Sequence, residues 1–164
     1  MSKGMNSGQK WAADTEREGG DMFSPRTIDH GLMDAEHLAL GHWVQAAVEG
    51  SREGHALSQA LDALDALRRQ AASHFEHESE DMRATGYPQR KAHAHDHEAM
   101  LDELLLIRQA VTGLEGPLNV EKRSTITERL LCWFHGHIER HDRPLAAWLG
   151  QRTAPPDTGS EHRQ

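Results

Sequence analysis

The sequence predicts an all-α protein, built as an antiparallel up-down-up-down four-helix bundle with a loose N-terminal arm. Three observations predict this fold. Four segments repeat apolar side chains at steps of three and four residues, which is the period of one helix face. Short breaks containing Gly or Pro separate these segments, so consecutive helices should run antiparallel. No segment shows a convincing strand pattern.

The first two helices are predicted from their apolar stripes and from the glycines between them. The first should begin near residue 25 or 28 and end at 49, and the second should begin near 51 or 55 and end at 85. Gly50 and Gly54 mark the break. The predicted inner faces carry Met33, His37, Leu40, Val44 and Val48 in the first helix, and Leu57, Leu61, Leu64, Ala71, Phe75, Glu78 and Met82 in the second.

Helices three and four are predicted in the same way. Gly86-Tyr87-Pro88 is a stop and restart, with Gly as a C-terminal cap and Pro in the next first turn. Gly113 and Gly116-Pro117 end helix three and open helix four. The inner faces carry His93, His97, Met100 or Leu101, Leu104 and Val111, then Ile126, Leu130, Trp133, Phe134, His137, Leu145 and Trp148.

Length and composition bound the possible functions. A chain of 164 residues suits one domain, with a flexible arm over 1–24, the bundle over 25–151 and a disordered tail over 152–164. The net charge of −8 makes nucleic acid and anionic membranes poor partners. The sequence has no run of 18 apolar residues and no apolar core of a signal peptide at its N-terminus. For these reasons we expect a cytoplasmic protein. Cys132 is the single cysteine, expected as a buried structural thiol.

Seven ligand-type side chains continue the apolar stripes instead of the polar faces. They are His37, His74, Glu78, His93, His97, His137 and Asp142. Buried and unpaired, such groups cost several kcal/mol each, so something must satisfy them. Residues four apart lie about 40° apart around a helix axis, so the two residues of an i, i+4 pair can reach one metal.

The donor types indicate which metals suit these residues. Imidazole and carboxylate without thiolate suit iron, manganese or zinc. A structural zinc ion is coordinated by four ligands, so seven are too many for one such site. Two six-coordinate ions that share bridging carboxylates use all seven, so the sequence predicts a dinuclear site.

These motifs resemble the hemerythrin family, specifically bacterial hemerythrins and the hemerythrin HHE cation-binding domain. The resemblance spans about residues 23–150. Its motifs are H-L-A-L from His37, H-F-E-H-E from His74 to Glu78, G-Y-P at 86–88, H-A-H-D-H from His93 to His97, and W-F-H-G-H-I-E-R-H-D from Trp133 to Asp142.

The resemblance implies a non-haem di-iron centre that binds dioxygen reversibly. It assigns His93, His97 and His137 to one iron, and His37 and His74 to the other. Glu78, Asp142 and a solvent-derived oxo or hydroxo group are then the bridges. Nitric oxide and azide-like anions are further candidate ligands, and a sensor needs a separate signalling or electron-transfer partner.

Apolar residues beside these ligands are expected to wall an oxygen pocket while also packing the core. They are Leu40, Phe75, Leu101, Trp133, Phe134 and Ile138. The family commonly has an aliphatic residue where this chain has Phe134, which leaves pocket size and autoxidation rate open. Among the other histidines, His77, His95 and His141 are expected to be exposed, and His30 and His42 are candidates for partners of the ligands.

The spacing in helix four predicts an irregularity. His137 and Asp142 are five residues apart, or about 140° around an ideal α-helix, too far for ligands of one centre. Pro144 donates no N–H and clashes with the carbonyl four residues before it. We therefore expect a π-bulge or kink between His137 and Pro144. The alternative is that Pro144 merely begins a frayed helix end.

Three function classes stay open at this point. Five neutral imidazoles and two carboxylates favour reversible dioxygen binding, in a carrier, store or sensor, because oxygen-activating di-iron enzymes use more carboxylates. The alternatives are a di-iron oxidase, peroxidase or nitric-oxide-handling protein, and an iron-binding signalling module. We expect a protein that is not an enzyme. The sequence does not choose among storage, delivery and sensing.

Overall fold

The fold is described by a computed structural model, which covers residue 23 and residues 25–52, 57–113 and 119–153. All regular structure in these ranges is helical, so the predicted all-α class is confirmed. The helices are α1 (Gly31–Gly50), α2 (Leu57–Thr85), α3 (Arg90–Thr112), α4 (Val120–His137), a π-helical turn (Ile138–Asp142, hereafter the π-turn) and α5 (Arg143–Thr153). Since α4, the π-turn and α5 are continuous, they form one long fourth helix.

The four long helices close into a bundle. Helix α1 packs on α2, α2 on α3, α3 on α4, and α4 back on α1. Contact pairs show that neighbours are antiparallel, because one residue number rises as the other falls. Between α3 and α4 these pairs are Asp96 with His137, Met100 with Trp133, and Glu103 with Arg129. Between α2 and α3 they are Asp65 with Arg108 and Glu78 with His97.

The start of α1 differs from the prediction. The helix begins at Gly31, not at residue 25 or 28. The Asp34 carboxylate accepts hydrogen bonds from the backbone N–H groups of Ile28 (2.8 Å) and His30 (3.1 Å). Asp29 between them has a φ of 60°, which is not helical. A side chain of the first turn therefore holds the preceding residues out of the helix.

The other helix ends follow local signals. Gly86 has a φ of 65°, and the Tyr87 N–H bonds to the Met82 carbonyl, which is the glycine-capped end predicted for α2. Helix α4 begins at Val120, where the Asn119 side chain caps the Lys122 N–H at 2.9 Å. A start for α2 at residue 51 is wrong, because Ser51 turns back onto the Val48 carbonyl. The alternative start at 55 lies outside the described residues.

The remaining expectations concern the ends, the cysteine and the membrane. The predicted arm (1–24) lies outside the described residues apart from residue 23, as does the tail beyond residue 153. Helix α5 runs two residues past the predicted boundary at 151. Cys132 is half-buried, not fully buried as predicted. Within the described ranges, no helix is both long enough and apolar enough to cross a membrane.

Candidate metal centre

Seven residues predicted as ligands meet in one buried layer of the bundle. We call them the seven-residue layer: His37, His74, Glu78, His93, His97, His137 and Asp142. Each is at most 5 % exposed. They come from α1, α2, α3, α4 and the π-turn, so all four long helices contribute. The sequence correctly predicted that these positions face inward together.

Within the layer, potential ligand atoms form two overlapping groups. Atoms of Glu78, His93, His97, His137 and Asp142 all lie within 4.8 Å of one another, and so do atoms of His37, His74, Glu78 and Asp142. We call these the three-histidine group and the two-histidine group. Glu78 and Asp142 belong to both. The two carboxylates therefore stand between two separate sets of imidazoles.

The distances show how the Asp142 carboxylate joins the two groups. Its Oδ2 lies 3.0 Å from Nε2 of His37, in the two-histidine group. Its Oδ1 lies 2.9 Å from Nε2 of His137 and 3.1 Å from Nε2 of His93, in the three-histidine group. One carboxylate oxygen thus faces each group, which is the disposition a bridging ligand requires.

Several atoms of the layer are buried with no hydrogen-bond partner among the described residues. They include both oxygens of Glu78 and Nε2 of His74 and His97. Nε2 of His97 is 3.0 Å from Glu78 Oε2 but lacks hydrogen-bond geometry. Leaving such groups unsatisfied costs about 1–3 kcal/mol each, or more when they are charged. Metal ions accept these same lone pairs, so the donor set fits a metal pair.

The π-turn brings the last carboxylate into the layer. The backbone N–H of Arg143 bonds to the carbonyl of Ile138, five residues earlier, so the helix is locally widened. This widening lets His137 and Asp142 face the same centre despite their five-residue spacing. The predicted π-bulge is confirmed. Because α5 continues past Pro144, the frayed-end alternative is wrong.

Comparison with known proteins agrees with this geometry. No protein-family model matches the chain. A bacteriohemerythrin of Ralstonia nicotianae is 29% identical over 119 residues, which cover 73% of this chain and 80% of that protein. The similarity supports membership of the hemerythrin family. The resemblance found in the sequence motifs and the similarity to this relative thus point to the same family.

Just outside the seven-residue layer lie two carboxylates that the sequence patterns did not predict. Glu36 Oε2 lies 2.8 Å from Nδ1 of His74, and Asp96 Oδ2 lies 2.7 Å from Nδ1 of His137. The sequence carried a signal for both, since each acidic residue directly precedes a predicted ligand, His37 or His97. Spacing along one helix does not reveal a contact with the next helix, so the signal was not decisive.

The other histidines only partly follow the prediction. His77 and His95 are exposed as predicted. His141 is not, because its side chain is 19% exposed and its ring stacks on His93 at 5.0 Å. His30 and His42 do not touch the seven-residue layer: His42 is exposed beside Trp43, and the N–H of His30 bonds to Asp34. Whether one of these histidines contacts the layer thus depends on its burial on the inner side of the bundle and not on its position in a sequence motif.

Charges within the layer compensate one another. Burial opposes protonation of His74, but the nearby Asp142 carboxylate, the hydrogen bond to Glu36 and the Glu78 charge outweigh it and raise its pKa to about 10. For His137, burial is likewise outweighed by the Asp142 charge and hydrogen bond and by Asp96, and its pKa rises to about 9.

The two inner carboxylates shift in the opposite direction. Burial acts to raise the pKa of Asp142, yet the contacts with His137, His37 and His74 hold it well below its usual range. Burial and the Asp142 charge act to raise the pKa of Glu78, but the nearby imidazoles of His93 and His97 lower it. The carboxylates of the layer thus favour the protonated forms of His74 and His137, and a metal ion would compete with those protons.

A small cavity adjoins the two-histidine group. It has a free volume of about 10 Å³, roughly the space of one water molecule. Five of the six predicted wall residues line it: Leu40, Phe75, Trp133, Phe134 and Ile138. The sixth, Leu101, is wrong, and Met100 takes its place. One residue along α3 turns a side chain by about 100°, so only one of these neighbours faces the cavity.

Proposed function

We propose that this protein binds dioxygen reversibly at a pair of iron ions held by the seven-residue layer. The observation that carries the proposal is the overlap of two ligand groups on two shared carboxylates. Five imidazoles and two carboxylates without thiolate are a donor set that suits iron. The similarity to a bacteriohemerythrin supports the same conclusion.

In this proposal each side chain has a defined role. His93, His97 and His137 would hold one ion, His37 and His74 would hold the other, and Glu78 and Asp142 would be shared by both. When bound, the iron pair supplies the redox chemistry of reversible dioxygen binding. The chain supplies three imidazoles on one side and two on the other, so the two-histidine ion has fewer protein donors.

The position of the cavity supports ligand binding on the two-histidine side. Both histidines of the two-histidine group, His37 and His74, line it, whereas His137 is the one histidine of the three-histidine group that does. The rest of its wall is mainly apolar, and Phe134 within it is 1 % exposed. An apolar wall of this kind would keep water away from the ion that has fewer protein ligands, and so would slow irreversible oxidation of the site.

The same surroundings favour binding over catalysis. Beyond the proposed ligands, the cavity wall presents no acid or base, since its other residues are Leu40, Phe75, Met100, Trp133, Phe134 and Ile138. A reaction that consumes protons has no donor there except the ligands themselves. We therefore propose a carrier, store or sensor that is not an enzyme and acts in the cytoplasm, with dioxygen as the ligand.

The test is an absorption spectrum of the ferrous protein before oxygen, in oxygen and after oxygen is removed. A visible charge-transfer band that appears with oxygen and disappears on its removal supports the proposal. Two results together would indicate an oxidase instead. The band would persist after oxygen is removed, and in the presence of oxygen the protein would steadily consume both oxygen and an added reductant.

A further inference from the structure

Two acidic side chains lie just outside the seven-residue layer, and each contacts one histidine in it. Glu36 on α1 reaches Nδ1 of His74 on α2 at 2.8 Å. Asp96 on α3 reaches Nδ1 of His137 on α4 at 2.7 Å. Both carboxylates are partly buried, with side chains 11% and 27% exposed. Neither is placed to reach a metal inside the layer, because the imidazole ring stands between.

We propose that Glu36 and Asp96 are positioning residues, and that each secures a different ion of the pair. Glu36 acts through His74 on the ion of the two-histidine group. Asp96 acts through His137 on the ion of the three-histidine group. This inference rests on the proposed function, because it takes the layer to be a two-ion site.

The physical reason is the tautomer of each ring. A carboxylate accepts a hydrogen bond, so the Nδ1 atom that it contacts must donate its N–H. When a metal displaces the Nε2 proton, Nε2 carries the lone pair, and in both rings Nε2 is the atom that faces the layer. The hydrogen bond also fixes the ring orientation and makes the imidazole a stronger donor to a metal.

The anchoring is selective within each group. Among the described residues, Nδ1 of His37 and Nδ1 of His93 have no hydrogen-bond partner. In the two-histidine group, His74 is therefore the histidine that a carboxylate holds. In the three-histidine group, His137 is held by a carboxylate and His93 is not. Removing one carboxylate releases one ring of one group and leaves the other group as it was.

The two anchors are built alike. Glu36 precedes His37 and Asp96 precedes His97, so in each case the residue before a ligand holds a ligand of the neighbouring helix. Each carboxylate also meets an outer histidine: His77 Nδ1 is 2.6 Å from Glu36 Oε1, and His141 Nε2 is 3.5 Å from Asp96 Oδ2. These outer histidines precede Glu78 and Asp142, the two shared carboxylates.

The anchors differ in how firmly they are held. Glu36 uses a separate oxygen for each histidine, and both contacts are short. Asp96 uses the same oxygen for both, and its outer contact is longer than an ordinary hydrogen bond. Loss of His77 should therefore loosen Glu36 slightly, whereas loss of His141 should change the position of Asp96 less.

The experiment uses the full chain loaded with isotopically enriched ferrous iron without oxygen and then challenged with a chelator. Elemental analysis counts the iron retained, and Mössbauer spectra separate the two inequivalent ions. The variants are Glu36→Ala, Asp96→Ala and the double variant, with Glu36→Gln and Asp96→Asn as conservative partners. Exposed acidic residues provide the controls Glu80→Ala and Asp102→Ala. Circular dichroism monitors the helical fold.

We expect wild type and both controls to keep two irons. Glu36→Ala should lose one Mössbauer component and Asp96→Ala the other, each with a roughly 10- to 100-fold weaker affinity. The double variant should lose both. Glu36→Gln and Asp96→Asn keep an acceptor oxygen and should recover part of the affinity. If an alanine variant does not fold, its amide partner carries the same test, with selective weakening of one component.

Two results overturn the inference while sparing the proposed function. One is that wild type keeps two irons and both alanine variants also keep them with unchanged affinity. The other is that both variants lose the same component. By contrast, a wild-type protein that never retains two irons contradicts the proposed function itself, so the two failures are distinguishable.

Discussion

The bundle has two halves that are equally buried and chemically opposite. One contains the seven-residue layer. The other, which we call the apolar half, is built from Val44, Leu64, Leu67, Leu104, Ile107 and Leu130, none more than 2 % exposed. The same helices pass through both halves. The apolar half is stable through close packing alone, whereas the layer buries groups that packing leaves unsatisfied.

Metal should therefore affect the two halves differently. In the apolar half, removing metal changes no contact. In the layer, removing metal leaves seven polar side chains to satisfy one another through ion pairs and imperfect hydrogen bonds. The stability of this protein should be divided between a half that depends on packing and a half that depends on metal.

The largest expected effect comes from a bridging carboxylate in the layer. Glu78→Ala removes a ligand shared by both groups, so it should lose both ions and reduce the melting temperature to that of metal-free protein. Glu80→Ala, two residues later on the exposed face of α2, is the matched control and should keep both ions. Elemental analysis and thermal unfolding measure the difference. Equal iron retention in the two variants would refute the assignment of Glu78.

A core substitution in the apolar half should lower the free energy of unfolding by the same amount with and without metal. Leu67 has no exposed surface, so Leu67→Ala leaves a cavity and should destabilise the protein by about 2–5 kcal/mol. Denaturant unfolding of metal-free and iron-loaded protein should give the same loss in both. A loss that appears only in the iron-loaded protein would mean that the two halves are not independent.

A substitution in the cavity wall should change the rate at which the oxygenated protein is oxidised more than it changes the retention of iron. Phe134→Ala opens space beside the two-histidine group and admits water. We expect faster oxidation of the oxygenated protein, with two irons still bound. The decay of its absorption band measures the rate of this oxidation. Leu67→Ala is the control for loss of core volume at a distance. An unchanged oxidation rate would show that Phe134 does not protect the oxygen site.

The smallest expected effect lies on the surface of the bundle. Glu103 accepts a hydrogen bond from Nε of Arg129 at 2.7 Å, and both side chains are about one-third exposed. Pairs this accessible to solvent contribute roughly 0.2–1 kcal/mol. Glu103→Gln should therefore shift denaturant unfolding by no more than this and leave iron content unchanged. A larger loss would mean that the pair matters to the packing of α3 on α4.

Sequence patterns predicted the seven-residue layer well. Helical spacing placed its residues on inner faces, because ionisable groups that continue an apolar stripe must point into the bundle with it. The five-residue step from His137 to Asp142 also predicted a π-bulge or kink there, and the structure has the π-turn. Both predictions depend on geometry within a single helix.

The misses have the opposite character. Glu36, Asp96 and His141 act across helix neighbours, and no spacing along one helix reveals such contacts. Met100 and Leu101 are adjacent, so a stripe drawn by eye does not choose between them. The start of α1 depends on where the Asp34 side chain turns. Contacts between elements, and side-chain caps, are therefore what the structure adds.

Occupancy of the seven-residue layer by two metal ions can be measured directly. The experiment is a ferrous iron titration of metal-free protein without oxygen, with bound iron counted by elemental analysis. We predict two irons per chain for wild type and none firmly held by Glu78→Ala. A single iron per wild-type chain, or two irons retained by Glu78→Ala, would contradict a two-ion site bridged by this carboxylate.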